Sequence, residues 1–121
     1  MSERACRDFF DAWNRRDMDA AMEFVADDCH YNDFSFVAPH VGKAEVRALF
    51  ENVATRAPGV TFDILKITGE HDVGVYWQIM MNGQSTGRFG VSYYGFDADD
   101  RLVWALDAAD PGAEHRTNDF H

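Results

Sequence analysis

The sequence predicts an α+β fold, with helices packed on one face of a curved antiparallel sheet, and three observations carry this. Apolar residues recur at helical spacing as far as about residue 55. From Val60 onward the period changes to two, the mark of strands with one buried face. Asn82-Gly83 falls between two such alternating runs, and this dipeptide is a strong signal for a tight hairpin between antiparallel strands. Helices grouped in one half of the chain and strands in the other pack as layers rather than as alternating crossover units.

The elements follow in order. Over residues 3–15, Ala5, Phe9, Ala12 and Trp13 lie at helical spacing with Cys6 and Phe10 beside them. Asp17 is an N-cap candidate for a second helix over 17–27, carrying Met18, Ala21, Met22 and Val25 and ended by Asp27-Asp28. Tyr31 to Phe36 alternate as a short strand, which Pro39 and Gly42 break. A third helix over 43–55 places Val46, Leu49, Phe50 and Val53 on one face. Four long strands then follow. The first holds Val60, Phe62 and Ile64, and the second Val73, Val75, Trp77, Ile79 and Met81. The third runs from Gly87 to Phe96, and the fourth is RLVWALD after the acidic turn Asp97–Asp100. Gly90 and Gly95 mark expected bulges or bends.

A chain of 121 residues reads as one domain, its core over about 3–110 and a flexible tail over 111–121. Eleven basic residues against 21 acidic ones give a formal charge of −10, which repels phosphate backbones and anionic membranes. Nucleic acid and membrane are therefore not expected partners, and no apolar run approaches the ~20 residues of a membrane span. Cys6 and Cys29 match neither a zinc spacing nor a disulfide framework, which points to a reducing, cytoplasmic setting. Five histidines without i, i+4 or H-x-H spacing argue against a metal. The acidic turn lacks the glycine and closing glutamate of a calcium loop. The aromatic share, 14%, hints at a lined cavity.

Three stretches in order, FFDAWNRRDMDAAMEFVADDCHYND, PHVGKAEVRALF and LVWALDAADP, resemble the nuclear transport factor 2-like superfamily, in particular its ketosteroid isomerases, limonene-epoxide hydrolase and SnoaL-like polyketide cyclases. The likeness spans about residues 7–110. It implies a cone-shaped fold, three helices on a strongly curved sheet, with a ligand inside the cone and a homodimer formed through the open face of the sheet. Trp104 and Tyr94 are the expected interface aromatics. By resemblance Asp33 stands where the isomerases carry a general base, and Asp107 where the hydrolase and cyclases carry an aspartate acid/base. Asp110 matches a further aspartate just beyond, and Tyr31 and Asp33 have the spacing of a tyrosine and asparagine that hold water in the hydrolase. The chain also departs from these relatives. Phe9 and Ser92 fall where the isomerases place their oxyanion-stabilising groups, and Trp77 and Ile79 where the hydrolase has an arginine and an aspartate.

The residue chemistry agrees with an acid–base site that needs no cofactor. A carboxyl in an aromatic cavity is desolvated, which raises its proton affinity toward the working range of a general acid or base. Asp33, Asp107 and Tyr31 are the expected catalytic groups, and Tyr93, with Asn32, Gln78 or Ser92, the expected donors to a substrate oxygen. Trp13, Phe36, Phe50, Trp77, Ile79 and Tyr93 are expected to line the ligand space. Plainer readings stand beside these: a turn aspartate at 33, a sheet-end cap at 107, ordinary core aromatics, and Arg88 as a solvated strand arginine rather than a counter-ion to Asp107. The expected activity is isomerisation, cyclisation, dehydration or epoxide opening on a small apolar, polyketide- or terpenoid-like molecule. The alternative is a non-catalytic binding or dimerisation module.

Overall fold

The computed structural model describes residues 2–110 and Gly112; the rest of the expected tail, 111–121, lies outside the described residues. Helix α1 (Ser2–Asn14) buries the predicted stripe of Ala5, Cys6, Phe9, Phe10, Ala12 and Trp13. The chain reverses at Arg16, in the left-handed region at φ 63°. Asp17 then caps α2 (Met18–Met22), its carboxylate accepting the Ala20 N–H at 3.1 Å.

The second helix is shorter than its pattern suggests, because residues 25–28 belong to strand β1 (Val25–Asp33). Tertiary pairing outweighs the helical period here. Val25 is the register partner of Leu102, both are fully buried, and the Leu102 N–H bonds the Phe24 carbonyl at 2.6 Å. The strand also ends earlier than expected. Asp33 accepts the Ser35 N–H on its side chain at 2.8 Å and the Phe36 N–H on its carbonyl at 2.9 Å, which turns the chain. Phe34 and Phe36 are consequently not strand residues, and Phe34 is 68% exposed.

After the short β2 (His40–Val41), Gly42 at φ 92° leads into α3 (Lys43–Arg56), which buries Val46, Leu49 and Phe50. The remaining strands are β3 (Val60–Thr68), β4 (Asp72–Met81), β5 (Gln84–Phe96) and β6 (Leu102–Ala109). The sheet order is β2-β1-β6-β5-β4-β3, and the sheet is not closed. Four of its five pairings are antiparallel, but β1 and β6 run parallel, so the sheet is mixed. Local sequence announces hairpins; a pairing between the first and last long strands has no turn to announce it.

Three helices pack on the inner face of this sheet. Val73, Val75 and Trp77 of β4, Ser92, Tyr94 and Phe96 of β5, and Ala105 of β6 are buried there. Burying each large apolar side chain contributes about 1.5–3 kcal/mol. Asn14 ties α1 to β3, donating to the Phe62 carbonyl and accepting the Phe62 N–H, each at 2.9 Å. The outer face carries exposed Tyr76, Val91, Tyr93 and Trp104, with Tyr93 stacked on Trp104 at 5.1 Å. The Gly95–Phe96 step has the expected register shift, whereas Gly90 has none and does other work. A Cβ there would lie 2.2 Å from the Trp77 indole, so Gly90 makes room for that ring across the strand pair. No helix among the described residues is long and apolar enough to cross a membrane.

Candidate active site

A cavity of about 330 Å³ lies between the helices and the inner face of the sheet, within the size range of small-molecule sites. Helix α1 supplies Phe9, Phe10, Trp13 and Asn14, and α3 supplies Leu49, Phe50 and Val53. Phe62, Trp77 and Ile79 come from β3 and β4, and Ser35 and Phe36 from the turn after β1. The polar groups converge from three adjacent strands: Tyr31 and Asp33 from β1, Ser92 and Tyr94 from β5, and Asp107 from β6. Among the described residues that line the cavity, the only charged side chains are the two carboxylates.

Asp107 is the centre of this group because of its place in the sheet. Ser92 is its register partner across β5, and Asp33 its partner across β1. Period-two alternation brings Tyr31 and Tyr94, each two residues from those partners, to the same face. The Tyr31 hydroxyl donates to Asp107 Oδ2 at 2.5 Å, and Ser92 Oγ donates to Oδ1 at 2.5 Å. The Tyr94 hydroxyl adds a longer bond to Oδ1 at 3.2 Å. The Trp77 indole N–H in turn donates to Ser92 Oγ at 2.8 Å. The tyrosine rings are fixed by edge-on packing, Tyr31 against Phe50 at 5.2 Å and Tyr94 against Phe9 at 6.2 Å.

Desolvation dominates the electrostatics. It pushes the Asp107 carboxyl up from 3.8 to about 6. The Ser92 and Tyr31 hydrogen bonds pull it back down, the nearby Asp33 charge raises it, and Tyr94 lowers it. Asp107 is half-buried and lines the cavity. Burial, reinforced by the Asp107 charge, holds both tyrosine hydroxyls well above their ordinary value, so they remain neutral donors. Cys6 and Cys29 are free and buried, and burial pushes each thiol up to about 12. Neutral thiols of this kind are poor nucleophiles.

The structure brings Asp33, Asp107, Tyr31, Trp13, Phe36, Phe50, Trp77 and Ile79 to one cavity. Tyr93 is not among them. It is 45% exposed on the outer face, and its neighbour Tyr94, expected outside, points inward instead. The phase of β5 is set by Ser92, a polar residue that sits inside because Asp107 and Trp77 satisfy it. Asn32 is exposed, and Gln78 bonds Asp63 and Ser85 away from the cavity. Arg88 donates to the Asp110 carbonyl on the exposed side. Phe9, Phe10 and Phe62 also line the cavity; their apolar periodicity signals burial but not that a cavity lies beyond.

Three helices over a six-stranded mixed sheet, enclosing an aromatic cavity with a polar floor, define the nuclear transport factor 2-like, cystatin-type fold. Within that class, a model of the SnoaL-like domain matches residues 6–105, and the chain belongs to the SnoaL-like family. A SnoaL-like protein of unknown function from Burkholderia thailandensis superposes with a TM-score of 0.75 at 22% identity, covering 90% of this chain and 94% of that one. A protein from Agrobacterium tumefaciens, named provisionally as an isomerase of the SnoaL-like family, gives 0.74 at 16% identity, with 88% and 95% covered. One from Sinorhizobium meliloti, named provisionally as a polyketide cyclase, gives 0.74 at 18% identity, with 89% and 99% covered. At these identities the likeness is one of fold. Comparison with curated proteins gave no match.

Proposed function

We propose that the cavity performs acid–base chemistry on a small, largely apolar molecule, with Asp107 as the group that takes and returns the proton. One observation carries this reading: a carboxyl enclosed by aromatic walls, held by three hydroxyls, and brought to about 6, near the pH at which it must work. Above that pH Asp107 is a base. When it accepts a proton from a substrate carbon or hydroxyl, its claim on the Tyr31 proton weakens. Tyr31 can then turn its hydrogen bond to a substrate oxygen as charge develops there. Asp107 then returns that proton at another position of the substrate, acting as the acid where it first acted as the base, with Asp33, at the end of β1, as the second carboxylate beside it. Isomerisation, cyclisation, dehydration and epoxide opening all need this pairing of acid and base. The aromatic walls, with no cation among the described lining residues, favour a neutral substrate of polyketide or terpenoid type over an anionic one.

The test is turnover of a panel of unsaturated cyclic ketones, β-hydroxy ketones and apolar epoxides. Turnover with a pH profile that breaks near 6, and its loss in Asp107→Asn, is the expected result. Compounds that bind in the cavity and come back unchanged would make this a binding module. We further propose that the exposed aromatics of the outer face, Tyr93 and Trp104, meet a second copy of the chain. Sedimentation of a dimer at micromolar concentration, and of a monomer for Tyr93→Glu, checks this. Two free buried thiols suit the reducing conditions of the cytosol.

A further inference from the structure

Asp107 receives one hydrogen bond whose donor is itself held from behind. Trp77 Nε1 lies 2.8 Å from Ser92 Oγ, and Ser92 Oγ lies 2.5 Å from Asp107 Oδ1. An indole N–H can donate and cannot accept, whereas a serine hydroxyl has one proton and two lone pairs. The indole therefore occupies a lone pair of Ser92 and leaves the serine proton directed at the carboxylate. We propose that Trp77 is a positioning residue that acts through Ser92, holding the serine proton on Asp107 Oδ1 and so setting how readily that carboxyl takes up a proton.

The inference deepens the proposed role of Asp107 and rests on it. Its geometry is built from three consecutive strands in the sheet, β4, β5 and β6. The indole is fixed on two sides. Gly90, its register partner, lacks the Cβ that would strike the ring, and Phe62 packs edge-on against it at 5.1 Å. Ser92 lies directly opposite Asp107, so its reach to the carboxylate is set by the ladder rather than by a flexible side chain. Among the described residues, the other groups around Asp107 are Tyr31 and Asp33 on β1, Tyr94 on β5 and Cys6 on α1. None of them bonds Trp77 through its indole nitrogen. A donor that also accepts a hydrogen bond is strengthened by it.

A tryptophan that merely fills the wall would affect stability and leave the carboxyl alone, so the two readings separate in a double-mutant cycle read by carbon NMR titration of the aspartate carboxyls, without any substrate. Ser92→Ala should raise the apparent pKa of Asp107 by about one unit, the effect of losing one hydrogen bond to a carboxylate. Replacing Trp77 by β-(3-benzothienyl)alanine keeps ring shape and removes only the N–H; it should raise the value by about a few tenths of a unit. In the Ser92→Ala background the same replacement should change nothing, because the path runs through the serine. Ser92→Thr, which keeps the hydroxyl, should restore the response to the indole nitrogen. An Asp107 titration that ignores the benzothienyl replacement, or an equal shift with and without Ser92, would overturn the proposal. Neither outcome depends on whether Asp107 turns over a substrate, so failure here and failure of the proposed activity are told apart.

Discussion

Asp33 and Asp107 carry the same side chain, are register partners on neighbouring parallel strands, and line the same cavity. Their surroundings differ in a way the sheet explains. β6 lies between β1 and β5, so Asp107 has a strand on each side and receives hydroxyls from both. β1 is flanked on its far side only by β2, whose pairing ends at His30 and Tyr31. Asp33 lies two residues past that point. It finds its partner in the turn that follows, the Ser35 N–H. Register brought two carboxylates to one face; the number of flanking strands decided which of them is gripped by hydroxyls. A catalytic proton is more simply assigned to the gripped one.

The largest expected effect falls on activity. Asp107→Asn keeps shape and removes the proton acceptor, so turnover of a substrate found in the panel should fall by about 10²–10⁴, and Asp33→Asn should cost less. Equal losses would erase the distinction between the two positions. Stability against pH sharpens it next. The folded-state pKa of Asp107, about 6, lies above its unfolded value near 3.8, so the folded state binds the proton more tightly. Its contribution is full below the unfolded value and is lost as pH rises through 6, an amount of about 3 kcal/mol in all. Urea unfolding at pH 4 and pH 7.5 should therefore show a much smaller pH-linked loss in Asp107→Asn than in the native chain, while Asp33→Asn should trim it only by the share that the Asp33 charge contributes.

Smaller effects follow on the carboxyl itself. Tyr31→Phe removes a 2.5 Å donor and should raise the Asp107 pKa, more than Tyr94→Phe, which removes a 3.2 Å one. Asp33→Asn should move it in the opposite direction, since the Asp33 charge raises it. The three variants together would show a gripped carboxylate by the order and sign of their shifts. No change in Asp33→Asn would mean that the two carboxylates do not sense each other.

The helices, the long strands and most of the wall are legible in the sequence for local reasons, and the two aspartates through the family resemblance. Tyr31 and Asp33 are two apart on a strand, and Trp77 and Ile79 repeat that spacing on β4. What was not legible depends on distant partners. Nothing local distinguishes Tyr93 from Tyr94, and a pattern that seeks apolar residues inside is misled by Ser92, whose place is set by Asp107 and the Trp77 indole. The end of α2 is decided by Leu102, well over half the chain away, and the parallel pairing of β1 with β6 has the same origin. The grip on Asp107 draws on residues 31, 92 and 94, far apart in sequence, and only the sheet assembles them.

The central claim is that Asp107 is a desolvated carboxyl whose proton affinity is raised so that it titrates near 6. It is tested most directly by carbon NMR titration of the native chain labelled at its aspartate carboxyls, beside Asp107→Asn. One aspartate resonance titrating near 6, and missing from the variant, is the result this account predicts. A native chain in which every aspartate carboxyl titrates at or below about 4 would contradict it.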